Sequence, residues 1–474
     1  MSNRLSEMSQ DFLRLVHQAS LRILEQAGVS FPGGPALDAF RGHGFKVDGD
    51  RVFIGEEQLS RCLATVPRSV ELVARNPEKS VVLGGPGPVV RGPPGPVQVL
   101  TPQGQLRPGT LADYESFQKL AQTSRLRQIA PYKAIYPQDL PARSAHLDML
   151  FGTITLTDLF MGGDSQEAAN ARDSVKMASL VFGGREFLDS HTVIRATINV
   201  LSPLRYAPEQ SAALMILSGS NQLAVVTNMA MLGSTAPVDL SASLVLGNAE
   251  VLAGIALSQL ARPGAPVVYG STSCPVDMRA MAATLGAPEA LWLGRAAVEM
   301  ARYYGIPSRT GGGLTDSFLV DGQAAAEAAL SLQNTLCCGA DLVMHAFGMM
   351  GGYFASSLEK WVLDEEICSF ILDSLRPSEP TIDEAAIEEI IKLGPGANYL
   401  VRPSTVRKFR DVHSFRLFNK LPHDQWQKKR GVDLGKVCQE EVGLRLGQYE
   451  KPPMDEKLEN ELALYVKKRK EEIW

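Results

Sequence analysis

Histidine is scarce and scattered. The 474 residues hold seven, and none forms an HxH or HExxH pattern, which argues against a hydrolytic metal centre. Cysteine is scarcer still. Cys62, Cys274, Cys337, Cys338, Cys368 and Cys438 are too few and too dispersed for a disulfide framework, and such usage fits a reducing compartment. Positive charge is not in excess: 47 Lys+Arg against 52 Asp+Glu leave a formal net charge of −5, which disfavours a sequence-independent grip on nucleic acid. No run of about 18 apolar residues lacks a charge or a helix breaker, and residues 1–20 carry no signal-peptide core. These absences predict a soluble, cytoplasmic protein with neither membrane nor nucleic acid as partner. What is present is ordinary for a globular chain, 45% hydrophobic and 21% charged. The length admits two or three domains, or one large α/β barrel with appended elements.

Along the chain the texture changes twice. The first part, 1–127, reads as mixed α+β. Phe12, Val16, Ala19 and Ile23 recur at helical spacing before a C-cap Gly28, and strand-like runs follow at 70–74 and 80–83. The Pro/Gly-rich run 84–97 reads as a loop, and its prolines remove the amides that a nucleotide-binding loop needs. From 128 to 380, short apolar runs ending in Gly, Pro, Asn or Ser alternate with Ala/Leu-rich helical stretches. Strand candidates begin near Gln128, Leu156, Thr192, Ala224, Pro266, Ile306 and Leu342, with helices at 242–260, 288–303 and 323–336. Pro288 suits a first helical position. Seven βα-sized units predict a (β/α)8 TIM barrel, and no GxGxxG helix start supports a dinucleotide fold instead. The eighth strand comes either from before Gln128 or from after Trp361. The part from 381 to 474 reads as a helical extension: Thr381 and Glu384 make a capping-box pattern, Gly394 a stop, and 455–474 an amphipathic helix with a solvated KKRK end.

A barrel of this kind places its site at the C-terminal strand ends. That rule selects 160–164, 199–206, 228–231, 269–272, 309–313 and 345–348, a rim of aromatics, methionine, Asn, Ser/Thr, Arg and His. No carboxylate pair dominates it, which disfavours glycosidase chemistry. His345 is either a core histidine or a site residue. The glycines Gly311, Gly312 and Gly313 either offer amides to an anion or serve as a packing turn, and Arg309 either meets that anion or turns outward. Cys337-Cys338-Gly339 resembles the thiol pair of zinc methyltransferases, yet it closes a helix before strand seven, at the wrong end of the barrel. Buried structural thiols, without zinc, are expected.

Several pieces resemble the trimethylamine methyltransferase family: HQASLRILEQAGVSF at His17, VPRSVELVARNPEKSVVLGG at Val66, SPLRY at Ser202, PSRTGGGLTDSFLVDGQAAAE at Pro307 and MHAFGMMGGYFASSLEKWVLDEEI at Met344. The resemblance implies a barrel enzyme that moves a methyl group to Co(I) of cobalamin or a related corrinoid carried by a partner protein, with a homo-oligomer expected. This chain has only standard amino acids, whereas the archaeal trimethylamine enzymes carry pyrrolysine. The pyrrolysine-lacking branch implies quaternary amines, glycine betaine first, with proline betaine and carnitine as alternatives and a non-catalytic betaine-binding barrel as a further one. A quaternary nitrogen leaves as a neutral amine, so no acid, base or metal is required for its departure, only positioning. Tyr206, Tyr269, Phe160 and Phe347 are the candidate aromatic faces for the cation. His345, Arg309, Asn199 and the amides of Gly312 and Gly313 are the candidates for binding the rest of the substrate, its carboxylate above all.

Overall fold

A computed structural model describes residues 8–375, 381–429 and 431–473. Seven short strands make the central sheet: β1 (Val89–Val90), β2 (Met161–Gly162), β3 (Ile194–Asn199), β4 (Leu223–Asn228), β5 (Val267–Ser271), β6 (Ser308–Gly311) and β7 (Leu342–Met344). Every pairing is parallel, in the order β1-β7-β6-β5-β4-β3-β2. The crossovers are helices: α1 (Ala168–Val181), α2 (Pro208–Gly219), α3 (Leu240–Ala261), α4 (Pro288–Tyr304) and α5 (Gly322–Cys337), with α6 (Leu358–Ser374) after β7. Strands β4 and β5 are buried at every residue, because helices cover one face and the sheet's own curl covers the other. The segment 127–130 reaches both edges of the sheet. Val90 N–H donates to Arg127 O, Ile129 N–H to Val90 O, and Ala130 N–H to Phe160 O next to β2.

Local chemistry sets the boundaries. Pro288 opens α4 and Gly305, left-handed at φ 68°, closes it. Asp239, Asp321 and Ser357 cap α3, α5 and α6 by accepting amide hydrogens. Helix α3 is long and apolar enough to span a membrane, but it is the protein's buried core helix. Below the sheet, strands Val70–Leu72 and Val81–Leu83 pair into a hairpin. Their Val70, Leu72, Val81 and Leu83 join Leu223, Val225, Val268 and Leu342 in one apolar cluster that plugs the N-terminal strand ends.

Three expectations are corrected. The run 84–97 is not all loop: Val89 and Val90 form β1. The strand needs only two amides, and these donate to Asp341 O and Arg127 O despite the flanking prolines. The sheet therefore begins upstream of residue 128, while the run near Gln128 forms a single bridge to Val90 rather than a strand. In the extension, Asp383 and not Thr381 caps α7 (Glu384–Leu393), because its carboxylate reaches the Ala386 amide. After α8 (Pro403–Lys408), the final helix α9 (Glu456–Ile473) buries Leu462 and Val466 as its pattern foretold. Its basic end is solvated at Lys467 and Lys468, which are exposed, and docked at the next two residues. Arg469 pairs with Asp173 at 2.9 Å and Lys470 with Asp148 at 2.6 Å. The expected boundary at 380 and the terminal Trp474 lie outside the described residues.

Candidate active site

Side chains alternate along a strand, so every second residue of β3 faces inward. Arg195, Thr197 and Asn199 form that row, and they reach a cavity of about 360 Å³ at the C-terminal strand ends. Arg91, directly after β1, Thr227 and Asn228 of β4, Thr272 after β5, Arg309 of β6 and His345 after β7 complete its wall with Tyr132, Lys133 and Tyr353. Below this polar layer lies the apolar cluster described above.

Three arginines dominate. Arg309 crosses the interior to donate to Thr227 Oγ1 at 2.8 Å and Thr272 Oγ1 at 3.2 Å. Gly270 makes that path available: a Cβ there would stand 2.9 Å from Thr227 Cβ and 3.0 Å from Arg309 Cδ. Arg195 donates to Thr197 Oγ1 at 3.1 Å, and Arg91 to the Tyr132 carbonyl. All three are buried, and the Nε of each is without a hydrogen-bond partner. Among the described residues no carboxylate forms an ion pair with any of them. Of the acids bordering the cavity wall, Asp164 is already held by Lys133 at 2.8 Å and the Tyr132 hydroxyl at 3.0 Å, and Glu250 accepts from Asn228 at 3.2 Å. Burial and the neighbouring Arg309 pull Arg195 down to about 9, and burial pulls Arg309 down to about 10. Both remain charged at neutral pH.

His345 sits among them in the left-handed region, φ 54°, with its ring 4.7 Å from that of Tyr353. A non-glycine residue in that region is strained, and such strain concentrates at functional sites. Burial, then the charges of Arg309, Arg91 and Arg195, hold the imidazole well below its ordinary range. A base whose pKa is lowered is neutral above its ordinary value, so His345 is uncharged at physiological pH and its buried Nδ1 lacks a partner. The His345 ring signal in an NMR titration is therefore expected to stay constant from about pH 6 to 8, across the unperturbed histidine pKa. A midpoint inside that window would show that the guanidiniums do not bear on it.

The structure brings Asn199, Arg309 and His345 together and keeps the other sequence candidates apart from this cavity. Tyr269 follows the inward Val268 and so points out to the helices, donating to Asn248 Oδ1 at 3.0 Å. Tyr206 stacks on Phe31 at 4.7 Å and donates to the Glu250 carbonyl. Phe160 fills the apolar cluster, and Phe347 packs on Trp361 at 5.5 Å. Gly312 and Gly313 do not line the cavity and stand where close packing leaves no room for a side chain. A Cβ on Gly312 would come within 2.8 Å of Ala346 Cα, and one on Gly313 within 2.5 Å of Ala346 O. Their loop is tied down from α6, where the buried Lys360 donates to Gly313 O and pairs with Asp364, which accepts the Gly348 amide. Arg91, Arg195 and Tyr353 went unread in the sequence. The signal for Arg195 was there: a lone arginine alternating with Thr and Asn in an otherwise apolar strand.

Cys337 and Cys338 lie at the opposite end of the sheet. The Cys338 thiol donates to Thr335 O, and burial pushes it up to about 12. Such a thiol is a poor metal ligand, and elemental analysis is expected to find no stoichiometric zinc. One zinc per chain, lost with activity in Cys338→Ala, would overturn this.

The fold is shared with a solved methyltransferase. Monomethylamine methyltransferase of Methanosarcina barkeri superposes with a TM-score of 0.50 at 10% identity, covering 94% of this chain and 89% of that one. Its hydroxylamine complex gives 0.51. Residues 2–474 match the family model for trimethylamine methyltransferase (MTTB). The chain belongs to that family. It is 34% identical to glycine betaine methyltransferase of Desulfitobacterium hafniense, over 98% of this chain and 97% of that protein. Identity is 31% to a proline betaine:corrinoid methyltransferase of Eubacterium limosum, over 96% of each chain. With that organism's L-carnitine:corrinoid methyltransferase it is 29%, over 94% and 93%.

Proposed function

We propose that this protein takes one N-methyl group from glycine betaine and passes it to Co(I) of a corrinoid borne by a partner protein, leaving dimethylglycine. It is a corrinoid-dependent methyltransferase of quaternary amines. The observation that carries the choice of a betaine is the trio Arg91, Arg195 and Arg309, buried without a carboxylate partner. Uncompensated buried charge is costly, and a substrate carboxylate is the group that relieves it. A betaine brings that carboxylate and is neutral overall, so its cation enters together with the anion that offsets it.

The chain's own part is to orient and desolvate. The arginines hold the carboxylate, and neutral His345 with the Tyr353 ring gives the ammonium a wall without added positive charge. Co(I) supplies the electron pair for in-line attack on a methyl carbon. The carbon–nitrogen bond breaks, its pair stays on nitrogen as a neutral tertiary amine, and no proton moves. The mouth suits an approaching partner. Met278, Met281, Phe318, Leu319 and Phe354 stand exposed on the loops after β5, β6 and β7, with Phe318 and Phe354 in edge contact at 6.1 Å.

The same reading takes the curled sheet as a closed (β/α)8 barrel, with 127–130 in the eighth position and with residues near 1–80 and 381–474 as additions. Co(I) chemistry and six free thiols fit a reducing cytoplasm. A longer betaine is the second reading, favoured by the likeness to the carnitine and proline betaine enzymes. The test is turnover of purified protein with reduced cob(I)alamin and each betaine, followed by the absorbance of methylcob(III)alamin. Absence of transfer from every betaine, with binding retained, would leave a binding barrel instead.

A further inference from the structure

The cavity meets a betaine with three buried guanidiniums against one carboxylate, and these charges do not balance. Arg91, Arg195 and Arg309 are each at most 3% exposed. They also repel one another. Burial, then Arg195 and Arg309, hold Arg91 well below the arginine range, and Arg309 adds to what burial does to Arg195. The acids nearby are engaged elsewhere, Asp164 with Lys133 and Glu250 with Asn228. A betaine is a zwitterion, so it enters without net charge and leaves the cavity as positive as before. Its carboxylate meets one guanidinium, while its cation adds to the field on the others. Buried charge left unpaired in this way is costly.

The geometry decides which guanidinium the carboxylate meets. The wall of His345 and Tyr353 stands against Arg309, whose charge bears on both rings and whose Nη1 reaches Thr272. One methylene separates ammonium from carboxylate in glycine betaine, so a cation at that wall presents its carboxylate to Arg309. Arg195 and Arg91 are then without a counter-ion. Arg195 donates through Nη1 to Thr197, and among the described residues its Nη2 and Nε make no hydrogen bond. Arg91 meets neutral partners, the Tyr132 carbonyl and the Met344 sulfur. There is room as well. At the roughly 30 Å³ of a water-sized heavy atom, the eight heavy atoms of glycine betaine fill about two thirds of the 360 Å³ cavity.

We propose that the cavity binds a small inorganic anion beside the betaine, held by Arg195 and Arg91 while Arg309 holds the carboxylate. The inference rests on the betaine reading and divides the work of the three arginines. The anion supplies the negative charge that a zwitterion does not bring, and guanidinium donors suit it. Each ligand lowers the electrostatic cost of the other, so the two bind cooperatively.

Chloride is the probe, exchanged against a bulky sulfonate at constant ionic strength so that screening does not change. With neither betaine nor corrinoid present, chloride is expected to raise the melting temperature of the wild-type protein and to saturate, because it binds the folded cavity alone. In calorimetry glycine betaine is expected to bind about fivefold or more tightly in chloride, an ordinary coupling between two sites. Arg195→Met is expected to lose the chloride response in both measurements and still bind glycine betaine. Arg309→Ala is expected to do the reverse, keeping the response of the melting temperature and losing betaine affinity. A wild type indifferent to chloride, or chloride that weakens betaine binding by competition, would overturn the proposal and leave the betaine reading standing. So would an Arg195→Met protein with its chloride response intact. Glycine betaine that binds in neither salt would overturn the betaine reading, and the paired site with it.

Discussion

Arg309→Ala is expected to lower kcat/KM for glycine betaine by about 10- to 150-fold, mostly through KM, without lowering the melting temperature. The first half follows from the loss of a charge-assisted hydrogen bond to the carboxylate, about 1.5–3 kcal/mol. The second half follows from linkage. Burial sets Arg309 near 10 and Arg195 near 9, below the unfolded arginine value. The unfolded chain therefore binds protons more tightly, and stability rises with pH across the interval between the folded and unfolded values. At neutral pH, below that interval, the penalty for keeping these groups charged is fully present. Deleting one guanidinium removes part of it, together with its repulsion of Arg91 and Arg195. What is lost are bonds to Thr227 and Thr272, hydroxyls that line the open cavity. Stability held and binding lost is the signature of a charge placed for function. Wild-type kinetics in Arg309→Ala would show that the carboxylate is bound elsewhere.

The larger effect is expected from the substrate side. Tetramethylammonium offers the same methyl groups and a neutral leaving amine, but no carboxylate. It should react more slowly than glycine betaine by a factor on the order of 10⁴, the scale on which a site built around buried polar groups rejects an analogue that leaves them unpaired. Repulsion adds to this. Of the charges lining the wall, Arg91, Arg195, Arg309 and Lys133 are cationic, and Lys133 alone has a paired acid. Trimethylamine, protonated at neutral pH, meets the same barrier and is expected to be inert. The measurement is initial rate with cob(I)alamin at matched concentrations of the three amines. Equal rates for glycine betaine and tetramethylammonium would remove the carboxylate from the argument, and equal rates for trimethylamine would remove the betaine assignment.

The sequence alone determined the class of fold and the end of the fold at which to look. Alternating apolar strands and Ala-rich helices are local patterns, and β3, β4, β5, β6 and β7 lie where those patterns put them, as does Pro288 at the start of α4. His345, Arg309 and Asn199 were legible because a parallel α/β sheet presents its strand ends to one face. The tertiary structure alone decided which way each rim side chain turns. Tyr269 and Val268 are adjacent letters, yet one faces the helices and the other the interior. The pleat alternates faces, and register fixes which residue of each pair is inward. Arg91 needed more than register. It follows a two-residue strand hidden in a proline-rich run, whose place beside β7 is set by a pairing some 250 residues away. Convergence of three arginines, one just after β1 and two from β3 and β6, on one unneutralised point is a property of the curl of the sheet, and no window along the chain contains it.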